Sequence, residues 1–409
     1  MRVLVADAFE QSGLDGLRAA GCDVIHEAGL EGDGLIAAIA DSRADVLVVR
    51  STKVTAPMMD SGALSLIVRA GAGYNTIDVA AASARGIYVS NCPGRNAVAV
   101  AELALGLILA LDRRIPDNVA ALRQGRWDKK AFSKAAGLKD RTLGLLGFGA
   151  IAREVAQRAQ ACGLHLVIWS RSIDPSTDPA SRGLQARSDL QVRFVSTPGE
   201  VADACDILSI HLALSGETRH LVDARLLARL RPGAFVVNTA RAEVVDYAAL
   251  EAAVREKGLR VALDVFQDEP SGGTGEYRAA LLDLPDVYGT HHIGASTQQA
   301  QDAIATETVH IVRTFKQTGK VPNCVNLATR TPATHMLVVR HRDRPGVLAH
   351  VFGQLRSAAI NVQETENVIF EGAEAAVARI NLDRRPSDAV LALITSGNED
   401  VVSVQIVEL

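Results

Sequence analysis

Thr142-Leu143-Gly144-Leu145-Leu146-Gly147-Phe148-Gly149-Ala150-Ile151-Ala152 is the stretch whose reading decides the fold. An apolar β-type run at 142–146 breaks at glycine, a helical run follows to about Cys162, and a second apolar strand occupies 164–169. Between strand and helix, residues 147–152 fit the G-x-G-x-x-(G/A) dinucleotide fingerprint, with Ala152 in the place of the third glycine. Gly147 permits the tight turn and Gly149 lets a pyrophosphate approach the backbone. The helix N-terminus behind them offers free N–H groups and the positive end of its dipole.

The alternation of apolar strands with helical runs extends in both directions. Runs at 207–210, 234–237, 261–263 and 287–289 read as later strands. Those at 3–6, 46–50, 66–70 and 87–90 read as an earlier series, with a helix at 13–20. Continuous apolar strands separated by helices predict an α/β fold whose parallel sheets are buried on both faces. Near residues 329–334 the pattern gives way to small polar residues and proline, a linker signal. Beyond it, runs at 336–339, 361–364, 375–382 and 402–407 with a helix at 346–358 predict a small α+β unit of helices on an antiparallel sheet. The segment 171–188, rich in Ser, Asp, Pro and Arg, is expected to be an exposed, mobile loop.

At 409 residues the chain is too long for one core, and its 48% hydrophobic and 22% charged content is ordinary globular usage. A net charge of -4 supplies no positive field for phosphate backbones or anionic lipid, so neither nucleic acid nor membrane is expected as a partner. Cys22, Cys92, Cys162, Cys205 and Cys324 are scattered without metal-ligand spacing, which points to a reduced, cytoplasmic protein with no metal site. The N-terminal apolar run reaches Asp7 too soon for a signal peptide. The run at 97–111 contains Glu102 and is shorter than the roughly 20 residues of a membrane span, so it reads as a buried helix.

Three strand ends carry candidate chemistry: Asn238-Thr239-Ala240-Arg241, Asp264-Val265-Phe266-Gln267-Asp268-Glu269-Pro270, and His291-His292-Ile293-Gly294-Ala295-Ser296-Thr297. Open α/β sheets bind ligands at the carboxyl ends of their strands, so these segments are expected to converge on one crevice. A carboxylate-tuned imidazole accepts a proton at neutral pH, and an arginine grips a carboxylate and polarises a developing carbonyl. After strand 164–169, where a carboxylate normally receives the adenosine ribose, the chain reads Trp169-Ser170-Arg171-Ser172. Serine and arginine there suit a 2′-phosphate and make NADP an alternative to NAD. The other reading leaves Arg171 in solvent and has Asp174 serve the ribose.

Taken in order, GFGAIA, NTARAEVVD, ALDVFQDEP and HHIGAST resemble the D-2-hydroxyacid dehydrogenases. Upstream, Arg50-Ser51-Thr52-Lys53-Val54, the run from Val68 to Asp78, Asn91-Cys92-Pro93-Gly94-Arg95-Asn96-Ala97 and Ala101-Glu102-Leu103 agree. The resemblance implies a Rossmann-type nucleotide domain (96–296) inserted in a flavodoxin-like substrate domain (1–95 and 297–328), followed by an ACT-like regulatory domain (333–409). It assigns proton transfer to His292, its carboxylate partner to Glu269 and substrate gripping to Arg241. Coenzyme contacts fall on Ala150, Ile151, Thr239, Ala240, Asp264 and Gly294, with His211 on the nicotinamide side. The backbone of Ala72 and Gly73 falls to the substrate carboxylate, and Arg50 and Lys53 to a substrate phosphate.

The implied reaction is hydride transfer between a D-2-hydroxy acid and NAD, with NADP as the alternative coenzyme. The expected substrate is 3-phosphoglycerate, on the route to L-serine, in a homodimer or homotetramer. A hydroxypyruvate or glyoxylate reductase is the alternative enzyme, and an NAD-sensing corepressor of the same fold the alternative from another class. In the C-terminal domain, His341, Asp343 and Asn361 match the positions of an L-serine effector site that the resemblance places between two such domains paired edge to edge, with Asp343 where asparagine is usual. Three other departures stand out: Ala242 for glycine, His291 for proline and Ser170 for Asp.

Overall fold

Short, wholly apolar strands such as Val46–Val49, buried along their whole length, demand cover on both faces, and the first ninety residues supply it with helices. In the computed structural model, which describes residues 1–184, 189–270 and 274–409, they form a parallel five-stranded sheet. Its strands are β1 (Arg2–Val5), β2 (Asp23–His26), β3 (Val46–Val49), β4 (Leu66–Arg69) and β5 (Tyr88–Asn91), in the order β2-β1-β3-β4-β5.

The helix Ala97–Arg113 leads into a second parallel sheet of β6 (Thr142–Leu146), β7 (His165–Trp169), β8 (Val192–Val195), β9 (Ile207–Ile210), β10 (Phe235–Asn238), β11 (Arg260–Leu263) and β12 (Val287–Gly289). The order β12-β11-β10-β9-β6-β7-β8 puts its first strand between β9 and β7, so the chain leaves β6 one way and later resumes on the other side. Such a switch point opens a crevice at the carboxyl ends of the strands. The helix Gln298–Thr318 then returns to the first sheet, burying Ile304, Ile311 and Val312 beside Val3, Leu14 and Leu17. Val325 N–H donates to Val89 O at 2.8 Å.

The chain divides into two units, Met1–Asn326 and Leu327–Leu409. The second is a β-α-β-β-α-β arrangement of β13 (His335–Arg342), β14 (Val362–Ile369), β15 (Ala375–Leu382) and β16 (Val401–Glu408) in the antiparallel order β14-β15-β13-β16. Leu337, Val339, Ala378 and Ile380 alternate along the sheet and meet Val347, Val351 and Leu355 of the helix Val347–Ser357 and Ile394 of the helix Asp388–Ser396.

Two expectations need correction. The segment 171–188 is not simply an exposed loop: Ile173 and Leu184 are buried in the second sheet's core, and Pro179–Arg182 forms a 3-10 turn. Its residues 185–188 lie outside the described residues. The helix Ala97–Arg113 is buried on one face only. Ala101, Ala104, Ile108 and Leu111 pack inward, while Val98 and Leu109 are exposed because none of the described residues covers that side. Among the described residues, no helix is long and apolar enough to cross a membrane.

Candidate active site

Each parallel strand ends where its side chains stop being needed for packing, so the residue just past it is free to face the crevice. Arg241 follows β10, Asp264 and Glu269 follow β11, and His292 follows β12. These three strands are sheet neighbours. Glu269 Oε2 lies 2.6 Å from His292 Nδ1, and Glu269 Oε1 accepts from Phe266 N–H at 2.7 Å. Burial acts to raise the Glu269 carboxyl, but the imidazole and the Phe266 N–H outweigh it and hold the group below the usual carboxylate range. With Nδ1 committed to Glu269, Nε2 is the ring atom left for substrate.

The His292 backbone is set by Asp264. This fully buried carboxylate accepts from Thr290 Oγ1 at 2.6 Å, Ile293 N–H at 2.8 Å and Gly294 N–H at 2.8 Å. His292 and Asp268 both adopt left-handed φ, +51° and +56°, a conformation that costs a non-glycine residue about 1–2 kcal/mol and persists only where neighbours over-determine it. Asp264, expected as a coenzyme contact, thus spends both oxygens on the loop that carries His292.

Arg241 is largely buried. Its Nη1 donates to Ala240 O at 2.7 Å and its Nε to Asn75 Oδ1 at 3.3 Å, and Nη2 occupies the space over Gly73, where a Cβ would fall 1.7 Å from it. The neighbouring cleft, about 1060 Å³, is lined by Asp7, Arg50, Arg69, Tyr288, Glu269 and His292 among others. Arg69 was missed in the sequence. Its Nε is buried without a partner, and burial, reinforced by the nearby Arg241 and Arg50 charges, lowers its pKa to about 10. Neither Arg69 nor Arg241 has a carboxylate ion-pair partner among the described residues. An arginine ending an apolar strand at its carboxyl end was the signal available.

Asp7, also missed, receives the backbone N–H groups of Arg50, Ser51 and Thr52 and both hydroxyls of that loop. Lys53 is exposed and does not line the cleft. Ala72 O accepts from Asn91 Nδ2 at 2.5 Å.

The residues around β6 fit a dinucleotide. Gly147 has φ +92°, and a Cβ on it would lie 2.5 Å from His211 O, so only glycine suits the turn. Over Gly149 nothing lies within 4 Å, and the helix Ala150–Ala161 has no side-chain cap at its N-terminus, leaving the first-turn N–H groups at Ala150 and Ile151 open to an anion. Thr239 Oγ1 is buried with no partner, an orphan that a ligand hydroxyl or amide would satisfy. Ala240 N–H is already taken by Asn238 Oδ1 at 3.0 Å. Burial lowers His211 to about 4, and its Nε2 lies 2.9 Å from Ser209 Oγ, so it is neutral at physiological pH. Ser170 Oγ lies 3.4 Å from Ser172 Oγ, and Arg171 is ion-paired with Glu217.

Within one copy of the second unit the three expected effector residues lie apart. His341 is buried, with Nδ1 at 2.7 Å from Arg342 O and Nε2 at 3.1 Å from Asn367 Oδ1. It pairs with Ala376, whereas Asn361 precedes Val362, which pairs with Leu382 opposite His335. Asp343 and Asn361 therefore sit at opposite ends of the sheet, about 26 Å apart along the strands at 3.3 Å per residue.

Residues 105–294 match the model of the NAD binding domain of D-isomer specific 2-hydroxyacid dehydrogenases. The chain is 42% identical over 293 residues to a hydroxypyruvate reductase of Thermotoga maritima, covering 71% of this chain and 89% of that protein. It is 33% identical over 385 residues to a D-3-phosphoglycerate dehydrogenase of Methanocaldococcus jannaschii, covering 93% and 67%. It spans 58–61% of the length of further relatives of the latter name. Among solved structures it is similar to the NAD+-bound 3-phosphoglycerate dehydrogenase of Entamoeba histolytica, at a TM-score of 0.65 and 26% identity over 80% of this chain and 99% of that one.

Proposed function

The chain belongs to the D-isomer specific 2-hydroxyacid dehydrogenase family, and on that premise we propose that it is an NAD(P)-dependent enzyme oxidising 3-phosphoglycerate to 3-phosphohydroxypyruvate, the entry to L-serine synthesis. The observation that carries the reading is the Glu269–His292 dyad at 2.6 Å, facing a cleft that holds Arg69 without a carboxylate partner and stands beside Arg241. Two buried guanidiniums call for a ligand with two anionic groups.

His292 takes the hydroxyl proton on Nε2, and Glu269 stabilises the resulting imidazolium through Nδ1. Arg241 grips the substrate carboxylate and polarises the carbonyl that develops at C2. Arg69 and Arg50 receive the phosphate. A bound nicotinamide would supply the acceptor for the C2 hydride. Gly147, Gly149, Ala150 and Ile151 would hold its pyrophosphate, Thr239 would offer its orphan hydroxyl, and Gly294 would close the pocket beside Asp264. Substitution of His292 by Ala is expected to lower kcat by about 10² to 10⁴-fold, the usual contribution of a general base, while coenzyme binding persists. Unchanged turnover in the folded variant would remove His292 from the reaction.

A second enzymatic reading, reduction of unphosphorylated hydroxypyruvate, is favoured by the 42% identity to the Thermotoga maritima protein. The cationic wall of the cleft supports the phosphorylated acid instead. For the whole molecule, the exposed apolar residues Val98, Leu109, Ile115, Val119 and Leu122 on two consecutive helices, with Trp127 just past them, support a homo-oligomer. Five free cysteines support a cytoplasmic setting. The β-α-β-β-α-β unit supports the reading of an ACT-like regulatory domain. An effector touching both Asp343 and Asn361 then requires two copies of the chain.

A further inference from the structure

We propose that Glu217 sets the choice between NAD and NADP by holding Arg171. The inference rests on the dinucleotide reading of the β6 crevice and concerns its adenosine end. β7 and β9 flank β6, and the two residues reach over its carboxyl end from opposite sides: Arg171 two residues past β7, Glu217 in the turn that follows β9. That turn is well defined, since Thr218 Oγ1 accepts from Ser215 N–H at 2.8 Å and donates to Ala213 O at 2.7 Å.

The carboxylate that β7 lacks is therefore supplied from β9. The acid on β7's own loop, Asp174, is turned back on Ser176, accepting from its N–H at 2.8 Å and its hydroxyl at 2.5 Å. Arg171 is the cation able to meet a 2′-phosphate, and Glu217 is its partner. A 2′-phosphate must draw Arg171 away and then share the crevice mouth with the released Glu217 carboxylate. A ribose hydroxyl does neither. Both side chains are about three-quarters exposed, 72% and 74%, so the pair itself is weak and salt-sensitive. Its effect lies in discrimination between ligands that differ by a dianion.

The test is direct titration of the full-length, coenzyme-free protein with NADH and NADPH, followed by nicotinamide fluorescence. The unmodified protein is expected to bind NADH more tightly. Glu217→Gln is expected to tighten NADPH about five- to tenfold, the scale of one screened surface charge, with NADH moving less than about twofold. In an Arg171→Ala background most of that gain disappears, and 0.5 M salt shrinks it. An unchanged NADPH to NADH ratio in Glu217→Gln, or an undiminished gain without Arg171, overturns the proposal. Absence of NADH binding in the unmodified protein would instead reject the dinucleotide reading beneath it.

Discussion

Glu269 uses its two oxygens differently, one fixed by the Phe266 N–H and the other facing the His292 imidazole. Its folded-state pKa is depressed, so its contribution to stability is complete above the ordinary carboxylate value of about 4.3 and is lost as pH falls through the depressed value. Throughout the neutral range it is an anion. Glu269→Gln removes the carboxylate charge that faces His292 Nδ1, and kcat/KM for hydroxy-acid oxidation is expected to fall at least about tenfold while NADH binding, followed by nicotinamide fluorescence, is unchanged. Unchanged kcat/KM in the folded variant would take Glu269 out of the proton-transfer step. The placement of Arg241, Glu269 and His292 at neighbouring strand ends was legible because each follows an apolar run, and the family resemblance chose among the residues there. Arg69 was not, because the same apolar run that marks β4 makes its last residue look like part of the strand. The bonds that commit Asp264 to the His292 loop join residues 26 to 30 apart and leave no trace in sequence spacing.

Gly147 and Gly149, two residues apart in one turn, separate folding from binding. A methyl at Gly147 meets His211 O in a left-handed backbone, whereas one at Gly149 meets nothing of the protein. Gly147→Ala is expected to lower the melting temperature, and Gly149→Ala to leave it unchanged while weakening NADH binding at least about tenfold by occupying the pyrophosphate's approach. A Gly149→Ala protein that binds NADH normally would move the coenzyme elsewhere. Among elements, the central strands of both parallel sheets and the edge strands β5 and β12 were legible, and the two other edges were not. β2 and β8 went unread because an edge strand needs little apolar surface: β2 carries Asp23 and His26, and Arg193 interrupts β8. β14 continues from Val362 to Ile369, beyond the expected 361–364, with its last six residues exposed on the sheet's edge.

At the scale of the whole molecule, the division at Asn326 makes the C-terminal unit separable. A chain ending near Thr331 is expected to keep its dehydrogenase activity and to lose any inhibition by L-serine seen in the full chain at millimolar concentration. Equal responses in the two would leave the second unit as an element of assembly. The central claim concerns what the cleft recognises, and it is tested most directly by kcat/KM for 3-phosphohydroxypyruvate against hydroxypyruvate, measured in the unmodified protein and in Arg69→Gln. The expected result is a preference for the phosphorylated acid of at least about tenfold, the scale of one charged hydrogen bond, that collapses in the variant. A preference for the unphosphorylated acid in the unmodified protein would contradict it.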